Sequence, residues 1–563
     1  MSTACSWGWI EHHDLGLDGR VLNGRVLERN LVRFDGAGLC GLITPDGVLE
    51  RGPGGPWVAK PPLAASLRSH SPFQRTAVSA VDVVLDEKQR SVVDLPKGRS
   101  TLILGEAGCG KTTVALHRLA HLWKLQRVRM RAAVIVPTDA LQRLVETLLE
   151  RLAVPDVEVW RYDEWARQQA RLAFGALPLR ESQNATAGVV RIKRDPALKR
   201  VIQKVGALPP PSRKKGKATR RSDRVEREDL FHLFGDRALL EEVVAHSPHA
   251  IPRPAIDELL AHTKLQFRQT SEQQWAHVSA ERLTTLDGKG MDEGTPDEDV
   301  QTIDVEDYAV LFELDRARAQ ALGEQPVTPR PYEMIVIDEA QEFAGLELSL
   351  IGRSLAKNGT LIVAGDAEQQ VDPTASFEGW DAAMRGLHAA DYDRATLEVS
   401  YRCPPDVTAL ARRLRGDVQA QAPKQTPSVD QVRFDHESHL VAWMIDALRD
   451  LRGRAPGATV AVICRSAEQA IRLSRLVRRG VDARLALEGD FDFHSGLHIT
   501  CVPEVKGLEF DYVILPDASA SSYPETAAAR RAFYVAVTRA TRRLVLASVG
   551  GPTPLLGVLP SAG

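Results

Sequence analysis

The sequence predicts an α/β fold in which parallel sheets are covered by helices on both faces. Continuous apolar runs rich in β-branched residues alternate with longer stretches of helical periodicity. Such runs are typical of strands buried on both faces, because a strand with one solvated face alternates apolar and polar residues. Alternation of these strands with helices is typical of parallel sheets. One group of runs begins at Leu102, Val134, Ile335 and Leu361, and a second group begins at Val460, Tyr512 and Leu544.

Composition and hydrophobic pattern divide the sequence into five segments. A chain of 563 residues is long enough to form several hydrophobic cores. Residues 1–80 are rich in glycine and in short β-type runs, and they predict a small β-rich N-terminal accessory segment. We expect residues 81–164 and 330–395 to form a first α/β unit and residues 396–563 to form a second. Residues 165–329 are polar and helical in character, so they predict a helical insertion into the first unit, interrupted by a basic loop and an acidic loop.

Composition argues against several classes of protein. The formal net charge is −2, so any affinity for a phosphate backbone must come from local patches. The six cysteines include no C-x-x-C pair, which argues against structural zinc, an iron–sulfur cluster and a disulfide framework. No apolar run approaches membrane-spanning length, and the N-terminus lacks the apolar core of a signal peptide. We therefore expect a cytoplasmic protein with no membrane partner.

A glycine-rich loop follows the first apolar run. Residues 105–112 fit the pattern G-x-x-x-x-G-K-[ST], between a predicted strand and a helix expected from Thr112 to about Leu122. Glycines allow consecutive backbone N–H groups to converge on phosphate oxygens, and the helix N-terminus adds a favourable field. We expect Lys111 to reach the β- and γ-phosphates of ATP, and the Thr112 hydroxyl to bind Mg²⁺. The nucleotide-binding residues predicted here are Gly105, Glu106, Ala107, Gly108, Cys109, Gly110, Lys111, Thr112 and Thr113.

Two carboxylates end the apolar run that begins at Ile335. Asp338 comes directly after the predicted strand and Glu339 follows it. Carboxylate oxygens are preferred Mg²⁺ ligands, so Asp338 is predicted to hold the metal together with Thr112. Glu339 is the predicted base, which orients and deprotonates the water that attacks the γ-phosphate.

Further motifs, in this order, resemble those of the UvrD/Rep-type helicases of superfamily 1A. Their positions are 85–93 (the Q-motif), 134–138 (Ia), 338–341 (II), 365–369 (III), 400–404 (IV), 504–511 (V) and 534–540 (VI). The resemblance covers roughly residues 83–165 and 330–547. It implies that Gln89 reads adenine, Gln369 senses the γ-phosphate, Tyr401 stacks on adenine, Arg402 contacts the γ-phosphate, Glu509 contacts the ribose, and Arg539 acts as an arginine finger.

The resemblance also implies an architecture and an activity. It predicts two RecA-like P-loop NTPase lobes with ATP between them, and a helical insertion in the first lobe. The implied function is an ATP-dependent DNA helicase or translocase that moves 3′ to 5′ on single-stranded or tailed duplex DNA, associated with the nucleoid. Two alternatives stay open. One is a remodeller of a nucleic-acid-bound protein complex such as RNA polymerase, with that complex as protein partner. The other is a nucleotide-switch subunit with little translocation.

The sequence departs from the family pattern where DNA would be contacted. Gln370 and the residues after it replace an aromatic pair that stacks on DNA bases, and the nearest aromatics, Phe377 and Trp380, are equally well explained as core residues. Pro503 and Thr113 replace a family histidine and arginine. The basic stretch 213–227 is compatible with phosphate binding and, slightly more, with a solvated loop that has no specific partner.

The second unit is also short. The stretch between Arg402 and Lys506 has little room for the 2B domain of larger members. This is reminiscent of HelD-type relatives, which act on RNA polymerase.

Overall fold

The computed structural model describes the chain in ranges. In the N-terminal part it describes the backbone of residues 5–15, 21–35, 38–44, 47–50 and 58–60. Beyond these it describes residues 85–125, 130–154, 156–174, 177–182, 184–208, 225–249, 251–268, 300–400, 403–417, 428–491 and 496–557. Residues 1–74 form one compact unit and residues 75–563 form the other.

The N-terminal unit contains a five-stranded antiparallel sheet in which each strand pairs with the next. The sheet lies in the segment whose sequence predicts β structure. Its strands are β1 (Cys5–Leu15), β2 (Val21–Asp35), β3 (Gly38–Thr44), β4 (Gly47–Glu50) and β5 (Val58–Lys60).

The larger unit contains a first six-stranded sheet in which every pairing is parallel. Its order is β13-β6-β12-β11-β7-β8. The strands are β6 (Ser100–Gly105), β7 (Ala132–Val136), β8 (Glu158–Arg161), β11 (Tyr332–Ile337), β12 (Leu355–Gly365) and β13 (Tyr392–Leu397). The helices near them are α1 (Glu87–Val93), α2 (Lys111–Leu125), α3 (Asp139–Arg151), α11 (Gly345–Arg353) and α12 (Trp380–Gly386).

Between β8 and β11 the described residues are mainly helical. Here β9 (Arg180–Glu181) and β10 (Thr302–Ile303) form a short parallel pair. The helices are α4 (Tyr162–Ala173), α5 (Ala187–Lys193), α6 (Leu198–Gly206), α7 (Glu228–Phe234), α8 (Arg237–His246), α9 (Pro254–Gln266) and α10 (Val305–Leu322). We call α4 to α10 the inserted helices.

A second six-stranded parallel sheet follows, in the order β14-β19-β18-β15-β17-β16. Its strands are β14 (Val429–Phe434), β15 (Thr459–Cys464), β16 (Arg484–Leu485), β17 (Gly496–Cys501), β18 (Phe510–Leu515) and β19 (Ala540–Val549). The helices near it are α13 (Pro405–Leu414), α14 (Glu437–Arg454), α15 (Ala467–Val477) and α16 (Ala527–Val537).

Alternate residues of the central strands face two different cores, so both sheets are covered on both faces. In β11, Ile335 packs in a cluster with residues of the inserted helices, whereas Val336 packs with residues of α2 and α3. In β15, Ala461 and Val462 divide in the same way between two clusters. The prediction of a mixed α/β protein with parallel sheets is confirmed. β13 belongs to the first sheet and extends two residues beyond the boundary that we predict at 395.

Candidate nucleotide site

The glycine-rich loop lies where β6 ends and α2 begins. Gly108 and Gly110 have φ angles of 80° and 82°, a region that side chains with a Cβ disfavour. A Cβ on Gly105 would lie 2.7 Å from the carbonyl oxygen of Leu397 in the neighbouring strand β13. The loop backbone therefore depends on these glycines. Its exit into the 15-residue helix α2 gives it the helix N-terminus that binds anions.

Lys111 is buried and its ammonium bonds the loop itself. Its Nζ donates to the carbonyl oxygens of Gly105 at 3.0 Å and Glu106 at 3.2 Å. These neutral acceptors hold the lysine at the centre of the loop. A phosphate oxygen there is a stronger acceptor, because it carries charge.

The oxygen donors expected for a metal are adjacent. The Thr112 hydroxyl donates to Oδ2 of Asp338 at 2.6 Å, although the two residues are 226 positions apart. Burial, followed by the charge of Glu339, raises the pKa of Asp338 to about 7, against the Thr112 hydrogen bond and Lys111. A hydroxyl beside a carboxylate whose charge lacks compensation fits Mg²⁺, which prefers oxygen ligands.

Glu339 follows Asp338 in a left-handed conformation, with φ of 53°. Its Oε2 accepts a 2.5 Å hydrogen bond from Nε2 of Gln341, and the Gln341 Oε1 accepts from the backbone N–H of Asp366 at 3.0 Å. Gln341 thus orients the predicted base and joins it to the end of β12.

Gln89 is 3% exposed and its side-chain amide is occupied. Its Oε1 accepts from the N–H of Asp86 at 3.1 Å as part of the capping box of α1, and its Nε2 donates to the Cys109 carbonyl at 3.0 Å. The side chain predicted to read adenine therefore holds α1 against the phosphate loop in this structure.

Residues of the second sheet unit reach the same loop. The hydroxyl of Tyr534 in α16 accepts from the N–H of Ala107 at 3.3 Å and donates to Oδ2 of Asp366 at 3.2 Å. Arg539 is 4% exposed, and its Nη2 donates to Oε1 of Gln369 at 2.7 Å. The structure thus brings together Gln369 of motif III, predicted to sense the γ-phosphate, and Arg539 of motif VI, predicted to act as an arginine finger.

An ion-pair cluster beside the loop was missed by the sequence analysis. Oε2 of Glu106 lies 3.0 Å from Nε of Arg412, and its Oε1 lies 3.4 Å from Nη1 of Arg415. Both arginines belong to the end of α13 and the residue after it. The only signal in the sequence is the basic composition at the end of that helix, which is common at helix C-termini and points to no partner.

The remaining predicted residues stand as follows. Tyr401 and Arg402 lie outside the described residues, but the residues on either side contact the site. Ser400 Oγ donates to the Ala107 carbonyl at 3.2 Å, and Cys403 Sγ donates to the Thr538 carbonyl at 3.4 Å. Thr113 is buried in α2, and Glu509 is half-buried directly before β18.

The aromatic residues after motif III are partly buried and pack against the core. The Phe377 and Trp380 rings lie 4.8 Å apart, and both pack against the core cluster of the first sheet. A Cβ on Gly365 would lie 2.3 Å from Trp380. This favours the core interpretation over base stacking. The basic stretch before Val225 and the acidic stretch before Val300 lie outside the described residues.

Within the described ranges, no helix is long and apolar enough to cross a membrane. In the same part of the chain, no three His, Cys, Asp or Glu side chains form a group that could hold a metal.

Comparison with known proteins gives two family matches. Residues 89–374 match the model of an AAA domain, which spans half of the chain, and residues 497–547 match the UvrD-like helicase C-terminal domain. A solved structure, the C-terminal domain of a possible DNA helicase from Lactobacillus plantarum, is similar at 25% identity and a TM-score of 0.24, covering 28% of this chain and 93% of that one. Among curated proteins, none matches. The chain belongs to the UvrD-like helicases of superfamily 1.

Proposed function

We propose that this chain is a DNA-dependent ATPase that moves 3′ to 5′ along single-stranded DNA, with its two sheet units acting as RecA-like lobes. The observation that carries the proposal is the contact between Arg539 of the second unit and Gln369 of the first, beside the phosphate loop. A site completed by two separate units opens and closes as ATP is bound and hydrolysed, and that motion is what a motor requires.

The proposed chemistry is transfer of the γ-phosphoryl group of ATP to water. The loop N–H groups and Lys111 bind the phosphates, and Glu339 accepts the proton of the attacking water while ADP leaves. Thr112 and Asp338 would hold Mg²⁺, which neutralises charge on the phosphate oxygens when bound. Arg539 then stabilises the charge of the transition state, a contribution of about 10³–10⁵ in rate for arginine fingers.

A second contact between the two sheet units supports coupling between the nucleotide site and bound DNA. Nζ of Lys506, in motif V, lies 2.8 Å from Oε2 of Glu342, which follows motif II. Lys506 is 12% exposed and Glu342 is 3% exposed, so this pair is largely desolvated. We propose that single-stranded DNA crosses both units near this pair, and that closure of the nucleotide site moves one contact relative to the other.

The direct test is ATP hydrolysis with and without a single-stranded oligonucleotide. We expect strong stimulation by DNA in the wild type, and loss of turnover at every DNA concentration in Lys111→Ala. Turnover retained in Lys111→Ala would contradict the site assignment. Turnover that is indifferent to DNA would favour a nucleotide switch instead.

Tailed duplexes test the direction of movement. We expect a duplex with a 3′ single-stranded tail to be unwound in preference to one with a 5′ tail, and the reverse preference would refute the direction. The described elements between Cys403 and Lys506 are α13 to α15 and β14 to β17, which build the second sheet unit and contain no further domain. DNA-stimulated ATPase without strand displacement would therefore favour a remodeller of nucleic-acid-bound protein complexes.

A further inference from the structure

Arg194 follows directly after α5, one of the inserted helices, and reaches into the first sheet unit. Its side chain is 10% exposed. Nη1 donates to Oδ2 of Asp372 at 2.6 Å and to Oγ1 of Thr374 at 2.9 Å. Nη2 donates to the carbonyl of Glu342 at 2.7 Å and to Oε2 of Glu347 at 2.9 Å. One guanidinium therefore binds the residues after motif II, helix α11 and the segment after motif III.

The preceding residue, Lys193, binds a different part of the chain. Lys193 is 1% exposed, and its Nζ lies 2.5 Å from Oδ2 of Asp304 and 2.7 Å from Oδ1 of Asp307. Both acids belong to the start of α10, the last inserted helix. Two consecutive cations therefore attach the same turn of chain to two different parts of the protein: Lys193 to the start of α10, and Arg194 to the segments after motifs II and III.

The segment bound by Arg194 begins at the γ-phosphate sensor. Gln369 contacts Arg539, and Asp372 and Thr374 follow within five residues. The segment is held internally by Nε2 of Gln370, which donates to the carbonyls of Asp372 at 3.0 Å and Ala375 at 2.5 Å. A displacement of Gln369 when the nucleotide changes is therefore transmitted to Asp372 by a short, hydrogen-bonded stretch of chain.

Glu342, one of the residues that Arg194 binds, also contacts the second sheet unit. Glu342 offers its carbonyl to Arg194, while its carboxylate accepts from Lys506 and from the N–H of Val371 at 3.1 Å. Arg194 is thus within one residue of the contact that we propose lies near the DNA.

The electrostatics of this connection favour one geometry of its charged groups. Burial alone would raise the pKa of Asp372, but the Arg194 guanidinium and the Thr374 hydrogen bonds lower it below its usual value. Burial disfavours the charged form of Arg194, but the charges of Glu347 and Asp372 outweigh it and raise the pKa of Arg194 above its usual value. A buried fork of this kind adds little net stability over an apolar replacement, but it holds its acceptors in one arrangement.

We propose that Arg194 is the positioning residue that couples Gln369 to the inserted helices, so that DNA bound to the protein changes the rate of ATP hydrolysis through this contact. The proposal rests on the proposed function, because it needs DNA to stimulate the wild-type ATPase. The hydrogen bonds of Arg194 go to Asp372, Thr374, Glu342 and Glu347, none of which is predicted to bind ATP. Its effect is exerted through the position of the segment after motif III.

The test compares Arg194→Met with a matched control, Arg353→Met. Arg353, like Arg194, is partly buried. It lies at the end of α11 and donates to the Phe312 carbonyl in α10 at 3.0 Å and to the Val327 carbonyl at 2.6 Å. It makes no hydrogen bond to residues 366–377 among those described. The measured quantity is the ratio of the ATPase rate with saturating oligo-dT to the rate without DNA, together with the Tm of each variant.

We expect Arg194→Met to lower this ratio about tenfold, within the range of coupling between sites. Arg353→Met should keep the ratio within about twofold of wild type, even if its Tm falls as much as that of Arg194→Met. Arg194→Lys should restore part of the ratio, because it supplies the charge without the fork. Asp372→Asn should give an intermediate loss, because the Glu347 contact remains.

Three outcomes would overturn the proposal. They are an unchanged ratio in Arg194→Met, an equal loss in Arg353→Met, and no gain from Arg194→Lys over Arg194→Met. Each of these requires a wild type that DNA stimulates, so the inference fails while the proposed function stands. If DNA does not stimulate the wild type, the proposed function fails and this inference fails with it.

Discussion

Nη2 of Arg539 donates a 2.7 Å hydrogen bond to Oε1 of Gln369, and this contact joins the two parallel sheet units beside the phosphate loop. Gln369 is held in turn by its own Nε2, which donates to Oδ2 of Asp366 at 3.0 Å. Asp366 also accepts from Tyr534. The four side chains form a chain of hydrogen bonds in which Arg539 and Tyr534 of the second unit hold Gln369 and Asp366 of the first.

Arg539→Ala should reduce hydrolysis far more than ATP binding. Removing an arginine that stabilises transition-state charge costs about 10³-fold or more in kcat, while the loop and Lys111 still bind the phosphates. The measurement is kcat from steady-state turnover beside the Kd of a fluorescent ATP analogue. Because Arg539 also donates to the Val535 and Leu508 carbonyls, Arg539→Lys serves as the second variant. Equal losses of binding and turnover in both variants would argue against the role.

Glu106→Gln should lower the KM for ATP by about threefold, which corresponds to less than 1 kcal/mol. The substitution removes a negative charge beside the phosphates and releases Arg412 and Arg415 to face them. The gain is small because all three side chains are about one-third exposed, where ion pairs contribute little.

Glu368→Gln is the matched control for this effect. It makes the same change of charge at an exposed carboxylate within motif III. A KM that falls equally in both variants would mean that overall charge, rather than the Glu106 ion pairs, sets the affinity.

The strands and the phosphate loop can be predicted from the sequence, because short stretches of neighbouring residues determine them. Uninterrupted apolar runs produce buried parallel strands, and the spacing of glycines before Lys111 produces the loop. The Glu106–Arg412 and Arg194–Asp372 pairs join residues 306 and 178 positions apart. No periodicity or spacing within one sequence encodes which surface arginine meets which carboxylate, since the packing of whole helices decides it. The order of the motifs predicts that Gln89 reads adenine. It does not predict that the side-chain amide of Gln89 takes part in the capping box of α1.

Arg118→Met should lower both the stability of the protein and its affinity for ATP. Arg118 in α2 is fully buried, and it donates to the carbonyls of Val92, Val93 and Leu95 at 3.2, 3.2 and 2.7 Å, and to that of Pro96 at 3.0 Å. Burial lowers its pKa to about 10, so it stays charged at neutral pH. Without it, the four carbonyls at the end of α1 and just after it lose these hydrogen bonds, at a cost of about 3 kcal/mol.

Because α1 carries Gln89, its displacement should also raise the KM for ATP. The measurements are the Tm by calorimetry and the KM. Arg90→Ala, an exposed arginine on the same helix, is the control and should change neither. A lowered Tm with an unchanged KM would show that Arg118 stabilises α1 without positioning Gln89.

Asp517→Asn should stabilise the protein at neutral pH and not in acid. Burial raises the pKa of Asp517 to about 6, although the Arg465 N–H donates to its Oδ2 at 3.0 Å. The folded protein therefore keeps this proton to a higher pH than the unfolded chain does, so stability falls as the pH rises from about 4 to about 6 and the loss persists above that range. A neutral amide removes this cost, which we place at about 1–2 kcal/mol.

The Tm of Asp517→Asn should exceed that of wild type near pH 7.5, and the difference should vanish near pH 4. Asp482→Asn, at a carboxylate that is 93% exposed, should show no such pH dependence. If Asp517→Asn instead lowers the Tm equally at both pH values, the carboxylate stabilises the fold as an ion, and its hydrogen bond from Arg465 outweighs the cost of burial.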